Sequence, residues 1–262
     1  MQRRIKIMYG ALALALALAG QASAATTWTL NTGTATDPGT SVGATSTGWA
    51  NTMAPDNLEI QPAGTNLRLY SGGLGINNLD GCASSGTCGD PGDVASSAPE
   101  HAIDNQQRNE MVLLSFSKAV NLTKVNFGWT GKSNYSADSD YTVMAFQGTA
   151  GQQGLAGKTW ATLNSGWKLI GHYSDALANE NRVLGPSSTN VYSSFWLIGA
   201  YNPLVGSSQG WSTGNDYLKL ASVTGSVCTT NCSPPSVSEP GSLVLLGIGL
   251  LGLLRKRKLG QA

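Results

Sequence analysis

Tyr141-Thr142-Val143-Met144-Ala145-Phe146 is the stretch on which the fold depends. Successive side chains of a strand point to opposite faces. Tyr141, Val143 and Ala145 therefore share one face, and Thr142, Met144 and Phe146 the other. Neither set suits water, so the stretch predicts a central strand covered on both sides. Leu218-Lys219-Leu220 alternates more cleanly, with one apolar and one polar face. Further strands are expected at Leu67 to Tyr70, Met111 to Phe116, Lys124 to Trp129, Trp167 to His172, Ser194 to Ala200 and Tyr217 to Val223. Turns rich in Gly, Asn, Asp and Ser separate them, and the chain holds 33 glycines and only 12% charged residues. Short strands broken by such turns predict an all-β ectodomain of β-sandwich or jelly-roll type. Ser97-Ala98-Pro99-Glu100 fits a capping box for one helical turn, within reach of an ordered loop as the alternative.

The two ends of the chain read differently from this middle. Arg3, Arg4 and Lys6 precede an Ala/Leu segment and then Ala22-Ser23-Ala24, a small-residue site. This is the pattern of a secretory signal peptide, residues 1–24, cleaved by signal peptidase between Ala24 and Ala25. At the other end, residues 229–237 with Pro234-Pro235 form a linker. Ser238-Glu239-Pro240 then opens a segment, 238–262, whose apolar run 241–254 leads to Arg255-Lys256-Arg257-Lys258. Fourteen residues give about 21 Å of helix against a hydrocarbon core of about 30 Å. Cations at 255–258 are hard to bury in a protein core and mark a cytoplasmic membrane boundary. The expected organisation is thus signal peptide, β-sandwich ectodomain at 25–228, linker, and a single C-terminal membrane helix.

Removing the ends exposes the charge of the body. Seven of the 16 basic residues lie in the two terminal segments, as does Glu239 among the 15 acids. Nine bases against 14 acids leave a net charge near −5. Such a body argues against nucleic acid as a partner and is compatible with neutral glycans or divalent cations.

Ser238-Glu239-Pro240, the Leu/Gly-rich run and the basic end resemble the PEP-CTERM sorting signal of exosortase-processed bacterial surface proteins. Ser238 stands where that motif usually has Pro, while Glu239 and Pro240 match. The resemblance implies transient retention in the inner membrane of a Gram-negative-type cell, cutting by exosortase near the tripeptide, and delivery to the cell surface or an extracellular polymeric matrix. In the body, Ala98 to Asn105, Met111 to Phe116, Asp138 to Val143 and Tyr192 to Tyr201 resemble a family of exosortase-dependent surface proteins. That likeness supports the sorting reading and implies no activity.

Four cysteines lie in the exported part, in two local pairs. In an oxidising compartment this spacing favours Cys82–Cys88 and Cys228–Cys232, because short loops cost least entropy to close. The other two connectivities and a four-thiolate zinc site are the alternatives. Gly210-Trp211-Ser212-Thr213-Gly214 matches a nucleophile elbow in letters only. That motif needs a following helix and a later histidine, and the chain has just His101 and His172. Ser212 is therefore read as part of a surface turn.

Hard-oxygen donors for calcium are the strongest site signal, with Asp138, Asp140 and Asp104 as the expected ligands. No EF-hand loop is present, and Asx turns would explain the same acids. Trp129, Trp167 and Trp196 lie in or beside strands and are expected in the core. Trp49, Trp160 and Trp211 lie in turns, and Trp160 and Trp211 are the candidate glycan contacts. No cofactor is required. The expectation is a non-enzymatic structural or adhesive surface component; the alternatives are a carbohydrate-binding module acting on extracellular polysaccharide and, behind it, a glycan hydrolase.

Overall fold

The structure is a computed structural model that describes residues 24–37, 39–51, 59–62, 67–78, 101–106, 108–131, 138–149, 151–163 and 166–229. The predicted signal peptide, the Ser97–Glu100 turn, most of the linker and the 238–262 segment fall outside the described residues. No described helix is long and apolar enough to cross a membrane. The body is all-β: among the described residues, helix is confined to two 3-10 turns, Trp160–Thr162 and Pro186–Ser188.

Among the described residues, thirteen strands form one open, hydrogen-bonded sheet. In chain order they are β1 (Thr26–Thr29), β2 (Thr34–Thr36), β3 (Gly43–Asn51), β4 (Ile60–Pro62), β5 (Leu67–Tyr70), β6 (Gly73–Ile76) and β7 (Ile103–Asp104). There follow β8 (Glu110–Thr130), β9 (Tyr141–Phe146), β10 (Trp167–Tyr173), β11 (Asn181–Val183), β12 (Ser193–Ala200) and β13 (Tyr217–Val227). The two strands expected at 111–116 and 124–129 are one. β8 runs unbroken for 21 residues, and Lys118 and Ala119 pass through a corner rather than a loop.

That corner organises the molecule. The first half of β8 pairs with β3 on one side and β12 on the other, and β9 and β10 continue outward from β12. The second half pairs with β13 and β11, and β13 carries β1, β6 and β7 on its far edge. Register slips at the corner, where Ser193 faces Val120 and Phe195 already faces Ser115. Extra residues on one strand of a pair bend it and increase its twist. The two halves of the sheet consequently turn their apolar faces toward each other.

Period-two alternation then fills two cores. Val112, Leu114 and Phe116 of β8, Tyr141, Val143 and Ala145 of β9, and Trp196 and Ile198 of β12 face the second half of the sheet. There they meet Trp28, Val125, Phe127, Leu218 and Leu220. Trp28 packs edge-on to Phe116 at 5.0 Å and Phe127 edge-on to Tyr141 at 4.9 Å, joining the halves directly. The intervening residues Met111, Leu113, Met144, Phe146 and Leu197 point the other way. They are covered by Leu155, Trp160 and Leu163 from the connection after β9, together with Ile60 and Val205. Both faces of β9 are buried, as its sequence predicts. Each fully buried side chain of this size contributes about 1.5–3 kcal/mol.

Trp160, read from the sequence as a turn residue and candidate glycan contact, does not face solvent. It is 1% exposed, and its indole N–H donates to Asn51 Oδ1 at 3.3 Å. A capping box between Thr159 and Thr162 starts the 3-10 turn that presses the ring onto the sheet. Gly/Thr-rich surroundings marked a turn correctly, but that turn is a cover, so its aromatic faces inward. Trp167 and Trp196 are in the core as expected, at 4% and 0% exposure, whereas Trp129 is half-buried on an outer face.

Candidate functional site

Two strands in opposite halves of the sheet are entered through the same dipeptide, Asp140-Tyr141 at β9 and Asp216-Tyr217 at β13, with the tyrosine as the first strand residue. The residues just ahead of them meet in an isolated parallel bridge between Asp138 and Asp216. This closes one end of the core and gathers three carboxylates. One carboxylate oxygen from each of Asp138, Asp140 and Asp216 lies within 4.8 Å of the others.

Hydrogen bonds from the backbone fix this cluster. The Asp140 N–H donates to Asp216 Oδ1 at 2.7 Å, and the Asn105 side-chain amide donates to Asp216 Oδ2 at 2.6 Å. The Asp175 N–H donates to Asp140 Oδ1 at 2.8 Å, and the Ser139 N–H to Asp138 Oδ1 at 2.9 Å. Asn105 also donates to the Tyr201 carbonyl and accepts from the Gly214 and Asp216 N–H groups. One amide thus ties the segments following β7 and β12 to the start of β13.

Asp140 is 3% exposed and Asp216 0%. Burial pushes the Asp216 carboxyl up to about 7, with the neighbouring Asp140 and Asp138 charges adding to the shift. Burial likewise raises Asp140 to about 6, and Asp138 and Asp175 add to it. Three oxygens crowded together in low dielectric favour either shared protons or a hard cation.

The sequence-predicted ligands divide here. Asp138 and Asp140 come together, while Asp104 lies outside the group. Its Oδ1 accepts the Gln106 N–H at 2.9 Å, and its own N–H donates to Glu110 Oε2. Asp104 shapes a turn, and its neighbour Asn105 reaches the cluster instead. Asp216 was missed. The legible signal was the repeated Asp-Tyr at two strand starts, which spacing-based searching overlooks because 76 residues separate them.

The aromatic candidates also separate. Trp211 is half-buried on the loop between β12 and β13 and tilts against Tyr201 at 5.2 Å. Tyr201 in turn donates its backbone N–H to the Asp140 carbonyl, so Trp211 stands close to the acidic cluster. Ser212 is exposed, and its hydroxyl accepts from the Asn215 amide. His172 is held between Thr142 and the Val205 carbonyl, at 2.8 and 3.0 Å. The Cys228 N–H donates to the Ala119 carbonyl at 2.9 Å, while Cys82, Cys88 and Cys232 fall outside the described residues.

No curated protein and no solved structure matches the chain. The family model of the PEP-CTERM protein-sorting motif matches residues 236–258, which include Ser238, Glu239, Pro240 and the basic cluster. The C-terminus therefore carries a PEP-CTERM protein-sorting motif, the substrate signal for exosortase processing, which implies export and sorting to the cell surface or the extracellular space.

Proposed function

We propose that the chain is a non-enzymatic structural or adhesive component of the cell surface or extracellular matrix. Its signal peptide is removed after Ala24. Segment 241–254 then holds the exported protein in the inner membrane until exosortase cuts near Ser238-Glu239-Pro240. The sorting match at 236–258 is the observation that carries this reading. A 14-residue apolar run suits temporary retention better than permanent anchorage. In this reading the folded-over sheet is the sandwich-type ectodomain that survives processing, stapled by Cys82–Cys88 and Cys228–Cys232. Fractionation of the native host with and without exosortase tests it. The mature protein should lack everything beyond the neighbourhood of Glu239; full-length protein persisting in the inner membrane of exosortase-positive cells would overturn it.

A second reading assigns the ectodomain ligands. Asp138, Asp140 and Asp216 would hold calcium, clamping the starts of β9 and β13. Their mutual distance within 4.8 Å favours this. Trp211, half-buried beside Tyr201, is the glycan contact of this reading, and the buried Trp160 is withdrawn from it. Calcium titration by calorimetry tests the first part, and glycan-array binding by the Trp211→Ala variant tests the second.

A further inference from the structure

Leu218 and Leu220 enter the core between the two halves of the sheet, so the intervening Lys219 lies on the outer face. Alternation alone would place its ammonium in water. Lys219 is instead 4% exposed. Its Nζ lies 4.8 Å from the ring centroid of Trp129 and 5.2 Å from that of Tyr70. Among the described residues, no hydrogen bond or ion pair joins this nitrogen to an acceptor. The His101 ring stacks on Tyr70 at 4.3 Å and 17°, and His101 Nδ1 is buried without a hydrogen-bond partner. Burial lowers the His101 pKa, and the Lys219 charge lowers it further. Burial also lowers that of Lys219.

A lysine buried to this degree is ordinarily paired. Attraction to two aromatic faces offsets part of the lost hydration but supplies no acceptor for the three ammonium donors. The arrangement of these side chains is also held in shape. A Cβ at Gly72 would meet Trp129 Cβ at 2.6 Å, and one at Gly73 would meet the Leu220 carbonyl at 2.6 Å. Both glycines have positive φ, 95° and 126°, so the turn between β5 and β6 lies flat on the sheet and fixes Tyr70 beside Lys219.

We propose that Lys219, Tyr70, Trp129 and His101 form a binding site for the carboxylate of a uronic acid residue in an extracellular glycan. The ammonium supplies the charged donor the carboxylate needs. The half-buried edges of Trp129, Tyr70 and His101 give an apolar wall for the C–H groups of a pyranose ring, which a bare carboxylate would leave unused. The net negative charge of the body disfavours dense polyanions and leaves isolated carboxylates as the anions this single sheltered cation accepts. The site is separate from Trp211, so the two stand or fall independently.

Calorimetric titration of the purified exported protein with glucuronate, glucose and acetate tests the assignment. Glucuronate should bind at least tenfold more tightly than either glucose or acetate. Lys219→Met should weaken glucuronate at least tenfold, and Lys219→Arg should stay within a few-fold of the parent. Equal glucuronate affinity in Lys219→Met, no binding of glucuronate, or glucose binding as tightly as glucuronate overturns the proposal. Acetate matching glucuronate overturns the sugar assignment. Should Lys219→Met fail to fold, acetic anhydride labelling of the parent protein decides instead: protection of Lys219 by glucuronate supports the site, and unchanged labelling refutes it.

Discussion

The Asp140 backbone N–H donates to Asp216 Oδ1 at 2.7 Å, across the seam where the two halves of the sheet converge. Asp140 leads into β9 in one half and Asp216 into β13 in the other. A single buried carboxylate thereby receives a hydrogen bond from the opposite half, while Asn105 holds its second oxygen. The arrangement is cohesive when Asp216 is protonated or cation-bound. It is under electrostatic load when all three carboxylates are ionised.

Stability should therefore fall as pH rises. An unfolded Asp titrates near pH 3.9, whereas Asp140 and Asp216 titrate at about 6 and about 7 in the fold. Between those limits the folded state binds more protons than the unfolded one, so unfolding free energy decreases with pH through the window and levels off above it. Urea unfolding in the presence of a chelator should show a loss of about 4 kcal/mol between pH 5 and pH 8. Asp216→Asn should flatten most of that slope. A pH-independent unfolding free energy in the parent protein would refute the cluster's burial.

Calcium should act in the opposite sense. At pH 8, a calcium concentration about 100 times the dissociation constant would stabilise the domain by about 2.7 kcal/mol. The Tm should rise on addition of calcium and return on chelation. Asp138→Ala should abolish the shift, and Asp104→Asn should preserve it, because Asp104 caps its own turn. Differential scanning calorimetry separates these outcomes.

The two turn tryptophans should behave differently. Trp160→Ala removes a ring that is 1% exposed and covers the second core, and should cost about 3–5 kcal/mol. Trp211→Ala removes a half-buried ring and should cost about 1 kcal/mol or less. If Trp211 contacts glycan, its variant loses binding with its fold intact, as near-ultraviolet circular dichroism alongside glycan binding would register.

Asn105 should prove more important than its position in a turn suggests. Asn105→Ala leaves the Asp216 oxygen, the Tyr201 carbonyl and the Gly214 N–H without a shared partner in a buried setting. A loss of about 2–4 kcal/mol is expected from such unsatisfied groups. Asn105→Asp should be comparably harmful, because it adds a fourth carboxylate beside Asp216. Chemical denaturation of both variants gives the comparison.

Sequence alone determined the all-β class, the central position of Tyr141 to Phe146 and the sorting motif at the C-terminus. Each is a local matter: side-chain alternation has a fixed period of two, and the motif is a contiguous run. Tertiary structure alone decided that the strands at 111–116 and 124–129 are one bent strand, because a corner in an unbroken ladder carries no turn signature. It also decided that Trp160 faces inward, that Lys219 is enclosed by Trp129 and Tyr70, and that Asp216 joins Asp138 and Asp140. Those relationships connect residues far apart in the chain, and they exist only where the fold of β8 brings one half of the sheet over the other.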